Sequence, residues 1–141
     1  ADPAAGVVAA AHAGWRGALD GVVQSAVDAM TSLGADPANM VAAVGPCIGP
    51  QSYEVGLEFL ARFEADAPGS GVFFHPARSD DKRMFDLPAF VLERLRTAGV
   101  ERREWVACDT RADEARFYSN RRAVLRGEND YGRLLSAITL V

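Results

Sequence analysis

Leu19, Val22, Val23, Ala26, Val27, Met30 and Leu33 recur at steps of three and four residues, so a helix puts them on one face, with Gly34 placed to stop it. An apolar stripe of that length has to be covered by other elements. On either side lie short apolar runs that read as buried strands. Residues 6–12 (GVVAAAH) lead into a turn made flexible by Gly14 and Gly17, and residues 40–44 lead into Gly45-Pro46 and Gly49-Pro50.

The same alternation continues. From Ser52 onward, Val55, Phe59, Leu60 and Phe63 predict a second helix that ends before Ala67-Pro68-Gly69. Residues 72–75 and 83–85 are weaker strand candidates on either side of the charged loop 78–83. Asp86 is placed as an N-cap with Pro88 in the first turn, and Val91, Leu92 and Leu95 carry a third helix to Gly99. Residues 105–108 and 134–141 read as strands, giving a β-rich tail after residue 104. Helix and strand alternation of this kind predicts a mixed α/β sandwich rather than an all-parallel sheet. With 141 residues and no repeat or linker, we read one domain covering 1–141.

Composition excludes several classes. Hydrophobic residues make up 49% and charged residues 24%, too apolar for a disordered chain, and no apolar run approaches the ~20 residues of a bilayer span. The net charge of -4 disfavours nucleic acid and anionic membrane as partners. Only Lys82 among the fifteen basic residues is lysine; the rest are arginines, whose forked guanidinium suits oxyanions. Two cysteines without zinc-site spacing point to a reducing cytoplasm. The N-terminus lacks an initiator Met and a signal peptide's charged region, so it reads as the middle of a longer protein. No GxGxxG, P-loop or GxSxG is present.

Three local clusters carry chemistry-bearing side chains. His12-Ala13-Gly14-Trp15-Arg16-Gly17 puts an imidazole, an indole and a guanidinium on one glycine-flexed turn, suited to a metal or base, an aromatic face and an anion. The same residues also fit a strand end, a core tryptophan and a surface arginine. Gly45-Pro46-Cys47-Ile48-Gly49-Pro50 is a rigid loop that reads as a pocket floor or as a tight connection holding a buried thiol. Tyr118, Ser119, Arg121 and Arg122, followed by Tyr131-Gly132-Arg133, suit a phosphate, or a solvated face whose partners are Asp109, Asp113 and Glu114. His75, between Phe74 and Pro76, reads as structural.

The order of these features resembles the YfiH/laccase-domain family, formerly called multicopper polyphenol oxidoreductases. The resemblance rests on AHAGWRG at 11–17, GPCIGPQSYEVG at 45–56, FDL at 85–87 before a helix closing on AGV, Cys108-Asp109-Thr110, FYSNRR at 117–122, and YGR before a terminal apolar run. It extends over residues 5–141. It implies a layered α/β fold similar to the catalytic domain of the cytotoxic necrotizing factor toxins, in a domain truncated at its N-terminus. It also implies a cytosolic purine nucleoside enzyme that cleaves adenosine, inosine and methylthioadenosine with phosphate and deaminates adenosine. Editing of peptidoglycan precursors and copper-dependent phenol oxidation are further activities attached to the family.

The resemblance further implies one metal, usually zinc, held by two His and one Cys. His12 matches the last of these ligands, while the family's other His and its Cys lie in segments upstream of HAGWRG with no counterpart here. Cys47 and Cys108 match other segments. By residue type, Arg16, Arg121 and Arg122 are candidates to clamp phosphate, with Ser119 beside them, and Trp15 or Tyr118 to wall the purine. Two other readings remain: a Cys–His hydrolase pairing Cys47 or Cys108 with His12, and a noncatalytic piece that needs a partner chain.

Overall fold

A computed structural model describes residues 1–140, which divide into two compact units: Ala1–Val44 with Ala89–Trp105 and the residues from Ser136 on, and Gly45–Pro88 with Val106–Leu135. The fold is mixed α/β, as the alternation predicts.

In the first unit the predicted helix is two helices, α1 (Trp15–Asp20) and α2 (Val22–Ser32). The break falls at Gly21, whose φ of 98° is left-handed; its N–H closes α1 onto the Gly17 carbonyl, and α2 starts at once. Leu19, Val23, Val27 and Met30 are buried as expected, whereas Leu33 lies past the helix end and is 72% exposed. Val27 and Met30 join Val7, Ala35, Met40 and Val100 in a core against which Ala42, Leu95 and Ala98 pack.

Strand β1 (Val41–Val44) matches the predicted run and pairs in parallel with β5 (Arg102–Trp105), Val41 opposite Arg102 and Val44 opposite Trp105. The expected strand at 105–108 is therefore displaced toward the N-terminus. Ala107, a non-glycine residue at φ 54°, turns the chain out of extended geometry there. The strand expected at 6–12 is also absent. Only Val7 bridges, exchanging N–H···O bonds of 2.8 and 3.1 Å with Asp2, and residues 8–14 have no ladder partner among the described residues. Asp2 ties this loop down: its buried carboxylate accepts N–H bonds from Ala4 (2.9 Å), Ala5 (3.1 Å) and Asp36 (2.8 Å).

The second unit contains an antiparallel sheet ordered β2 (Glu54–Gly56), β4 (Lys82–Phe85), β3 (Phe74–Pro76). The helix expected from Ser52 begins later, as α3 (Leu57–Asp66), because Val55 pairs opposite Arg83 in the sheet before the chain turns helical. Helix α4 (Leu87–Thr97) follows Asp86 with Pro88 in its first turn, as predicted. It begins in the second unit and continues into the first. Phe63 lies 4.9 Å from Phe59, 5.5 Å from Phe74 and 4.8 Å from Phe85, centroid to centroid, and these four rings are the centre of the unit. The expected β-rich tail is instead helix α5 (Asn120–Arg126) and loops; residues 134–140 form no strand, and Val141 lies outside the described residues.

Phe63 and Phe85 have no exposed surface, so Phe63→Ala leaves a cavity that the neighbouring rings only partly fill. We expect it to cost about 3–5 kcal/mol, against less than about 0.5 kcal/mol for Leu33→Ala, read from urea unfolding.

Candidate functional site

His12, Trp15 and Arg16 lie together in the first unit, where an irregular segment becomes α1. His12 is exposed, and its Nε2 lies 3.2 Å from where a Cβ on Gly14 would sit, so the imidazole rests over that glycine. Gly14 is the N-cap of α1. Arg16 is exposed, with its guanidinium carbon 5.2 Å from the Trp15 ring centroid. The turn thus presents an imidazole and a guanidinium stacked on an indole. A metal is another matter: among the described residues no group of three His, Cys, Asp or Glu is placed to hold one. His12 alone does not make the three-ligand centre that the resemblance implies, and we derive no step through a metal.

The remaining predicted residues belong to the second unit, where three motifs form one knot. The Cys47 N–H donates to the Cys108 carbonyl (3.2 Å) and the Thr110 N–H to the Cys47 carbonyl (2.9 Å), a short parallel bridge between the GPCIGP loop and Cys108-Asp109-Thr110. Asp109 fastens it. Its carboxylate accepts from the N–H of Arg111 (2.9 Å) and Ala112 (3.3 Å), and from the Gly49 N–H and Ser52 hydroxyl. A Cβ on Gly49 would sit 2.7 Å from Asp109 Oδ2, so only glycine admits this approach. Burial pushes the Asp109 carboxyl up, but these hydrogen bonds outweigh it and hold the group below its ordinary value of 3.8.

Arg122 extends the knot. One terminal nitrogen donates to the Thr110 and Arg111 carbonyls, both at 2.9 Å, and the other to the Phe117 carbonyl. Ser119 caps α5, its hydroxyl oxygen accepting from the Arg122 N–H at 3.3 Å. Arg121 turns elsewhere: it donates to the Glu54 carbonyl at 2.8 Å and lies 5.2 Å over the Tyr53 ring. The two neighbouring arginines therefore have separate partners. Tyr118 is 57% exposed. Of the carboxylates expected to pair with this segment, Asp113 binds Arg116 and Glu114 binds Arg126, while Asp109 is taken up by the knot. Sequence reasoning missed Ser52, Gly49 and the anchoring role of Asp109, because their partners lie some sixty residues away.

A carboxyl with a depressed pKa contributes stability that is complete above its unfolded value and is lost as pH falls through its folded one. Urea midpoints measured at pH 7 and pH 3 should therefore fall with acid less in Asp109→Asn than in the parent, with the variant already weaker at pH 7. Gly49→Ala should weaken the protein at both.

A model of the multi-copper polyphenol oxidoreductase laccase family matches residues 1–141. The chain is 35% identical over 134 residues to a purine nucleoside phosphorylase of Rickettsia conorii, covering 95% of this chain and 55% of that protein. It is 43% identical over 124 residues to the purine nucleoside phosphorylase of Deinococcus radiodurans, covering 86% and 46%. Purine nucleoside phosphorylase YfiH of Escherichia coli is 36% identical over 135 residues, covering 95% and 51%. Among solved structures, Bacillus licheniformis hypothetical protein YfiH superposes with a TM-score of 0.78 at 27% identity, over 92% of this chain and 49% of that one. YlmD from Geobacillus stearothermophilus gives 0.69 at 29% identity, over 86% and 45%. The chain spans about half the length of the curated relatives it matches. On a match that covers all 141 residues and carries the motifs described above, the chain belongs to the multi-copper polyphenol oxidoreductase laccase family, the YfiH family of its relatives.

Proposed function

We propose that this chain is part of a purine nucleoside phosphorylase that cleaves adenosine, inosine and methylthioadenosine with phosphate, in the cytoplasm, through a single domain of which these residues are a portion. The observation that carries the reading is the 31–43% identity, over 85% or more of this chain, to relatives named purine nucleoside phosphorylase. In the reaction a phosphate oxygen bonds to the ribose C1′, the C1′–N9 bond breaks, and its electron pair leaves with the purine, which takes up a proton. The products are the free base and a sugar 1-phosphate, ribose 1-phosphate from adenosine and inosine and 5-methylthioribose 1-phosphate from methylthioadenosine.

Such a reaction needs an anion clamp, an aromatic face for the base and a group beside the departing ring. At the start of α1, Arg16 has an exposed guanidinium for the phosphate, Trp15 an indole for the purine, and His12 an imidazole able to donate a proton. Tyr118 is a second exposed aromatic for the base, and Ser119, Arg121 and Arg122 hold its segment in place. Adenosine deamination belongs to the same proposal and also turns on His12; with no set of metal donors among the described residues, we derive no step of it.

The test measures free purine and ribose 1-phosphate from inosine and adenosine, with and without phosphate. It uses this chain and a version extended to the relatives' length. We expect phosphate-dependent product in the extended protein, its loss in His12→Ala, and a phosphate KM raised on the order of tenfold in Arg16→Gln. Product formation that ignores phosphate, or survives His12→Ala unchanged, would overturn the reading.

A further inference from the structure

Ala1 and Asp2 stand between two neighbours within the first unit. The Asp2 N–H donates to the Val7 carbonyl (2.8 Å) and the Val7 N–H to the Asp2 carbonyl (3.1 Å). On the other side the Ala1 nitrogen donates to the Val41 carbonyl (2.9 Å) and the Val41 N–H to the Ala1 carbonyl (2.8 Å). Each exchange in both directions is the hydrogen-bonded pair of an antiparallel ladder. Two successive residues bonded to opposite sides have the geometry of a strand with a neighbour on each edge. Ala1-Asp2 is therefore the last step of such a strand, with residues 7–12 on one side and β1 on the other, and β5 beyond β1.

Both neighbours run on past the point where these bonds stop. In extended backbone, alternation turns the N–H and carbonyl of Ala43 to the same edge as those of Val41, and those of Ala9 and Ala11 to the same edge as those of Val7. There they meet no main-chain partner among the described residues. Ala9, Ala10, Ala11 and His12 are exposed, as are Val41 and Ala43. A parallel strand pair is ordinarily buried on both faces inside a larger sheet, and two strands alone are marginal. Strands β1 and β5 are instead exposed at alternate positions. The residues along the two open edges are Val41 and Ala43, and Val7, Ala9 and Ala11, small and without charge, which suits an apolar central strand free of proline.

We propose that the segment leading into Ala1 in the longer protein is a central strand of about five residues, antiparallel to both neighbours, which completes a sheet ordered 8–12, inserted strand, β1, β5. This rests on the reading of the chain as a portion of a longer domain, and the chain spans about half the length of its curated relatives. The two bonded pairs fix the register. The residue directly before Ala1 lies opposite Ala9 and Ala42, the next one back lies opposite Ala10 and Ala43, and the strand starts beside His12. Insertion thus fixes the stretch that carries the candidate imidazole up to Trp15.

Amide hydrogen exchange read by NMR, on this chain and on the version extended to the relatives' length, tests it. No substrate is present, so a failed phosphorolysis assay and a failed insertion are separate results. The Ala9, Ala11 and Ala43 amides should exchange at nearly unfolded-chain rates in this chain, and about a hundredfold or more slowly in the extended protein. The Val27 amide, inside α2, should be protected in both. In the extended protein the Cα protons of the residue directly before Ala1 and of Ala42 should give an Overhauser contact, and so should those of the next residue back and Ala10, because these are the close, non-hydrogen-bonded pairs of the proposed register. Contacts in another register, or fast exchange at Ala9 and Ala43 while Val27 stays protected, would overturn the proposal. Protection of Ala9 and Ala43 already in dilute samples of this chain would show that the chain closes its own edges, and protection that grows with its concentration would put a second copy there; either would overturn it too.

Discussion

The second unit depends on the half-buried carboxylate of Asp109. It collects a hydroxyl from Ser52 and backbone N–H groups from Gly49, Arg111 and Ala112, so one side chain anchors two loops far apart in sequence. Those converging donors favour its charged form, against a partial burial that pushes the carboxyl the other way. The Cys47 and Thr110 bonds align the two backbones next to it, and Arg122 then draws the Thr110, Arg111 and Phe117 carbonyls toward the first turn of α5. GPCIGP, Cys108-Asp109-Thr110 and FYSNRR are separate in the sequence and one hydrogen-bonded assembly in the fold.

That assembly sorts the arginines. Arg122 and Arg121 direct nitrogens to main-chain carbonyls, and Arg121 also covers Tyr53, whose burial pushes its phenol up against the partial lowering from that same guanidinium. Both work as cross-links between segments. Arg16 instead stacks on Trp15 with its guanidinium exposed, and the Arg111 guanidinium has no hydrogen bond or ion pair among the described residues. Residue type alone could not separate these roles, because all four look alike until their partners are in place.

Local features were legible in the sequence and distant pairings were not. Helix α2 and the position of α4 depend on neighbours within a turn or two, and the structure reproduces them, while the strand expected at 40–44 forms as Val41–Val44 against the distant β5. The break at Gly21 was harder to see, because a glycine inside a helical stripe fits an unbroken helix as well as a left-handed joint. Residues 6–12 and 105–108 have strand-like composition, but a strand also needs a ladder partner, which composition does not reveal. Val55 fits a helical face and a sheet face equally; its pairing with Arg83 decided the outcome. Asp109 stood out as a partner for arginines and as part of a motif, but its anchoring role gave no signal, since its donors are fixed only by the closed fold.

Amide hydrogen exchange on the Arg122→Lys variant tests the knot most directly. Lysine keeps the charge but cannot reach three carbonyls with a rigid fork. The account predicts that the amides of Gly49, Thr110, Arg111 and Ala112 lose protection together, while the Asp36 amide, held by Asp2 in the other unit, keeps its parental rate. Unchanged protection at Gly49 and Thr110, with loss confined to α5, would show that the three motifs are not one assembly and would contradict the account.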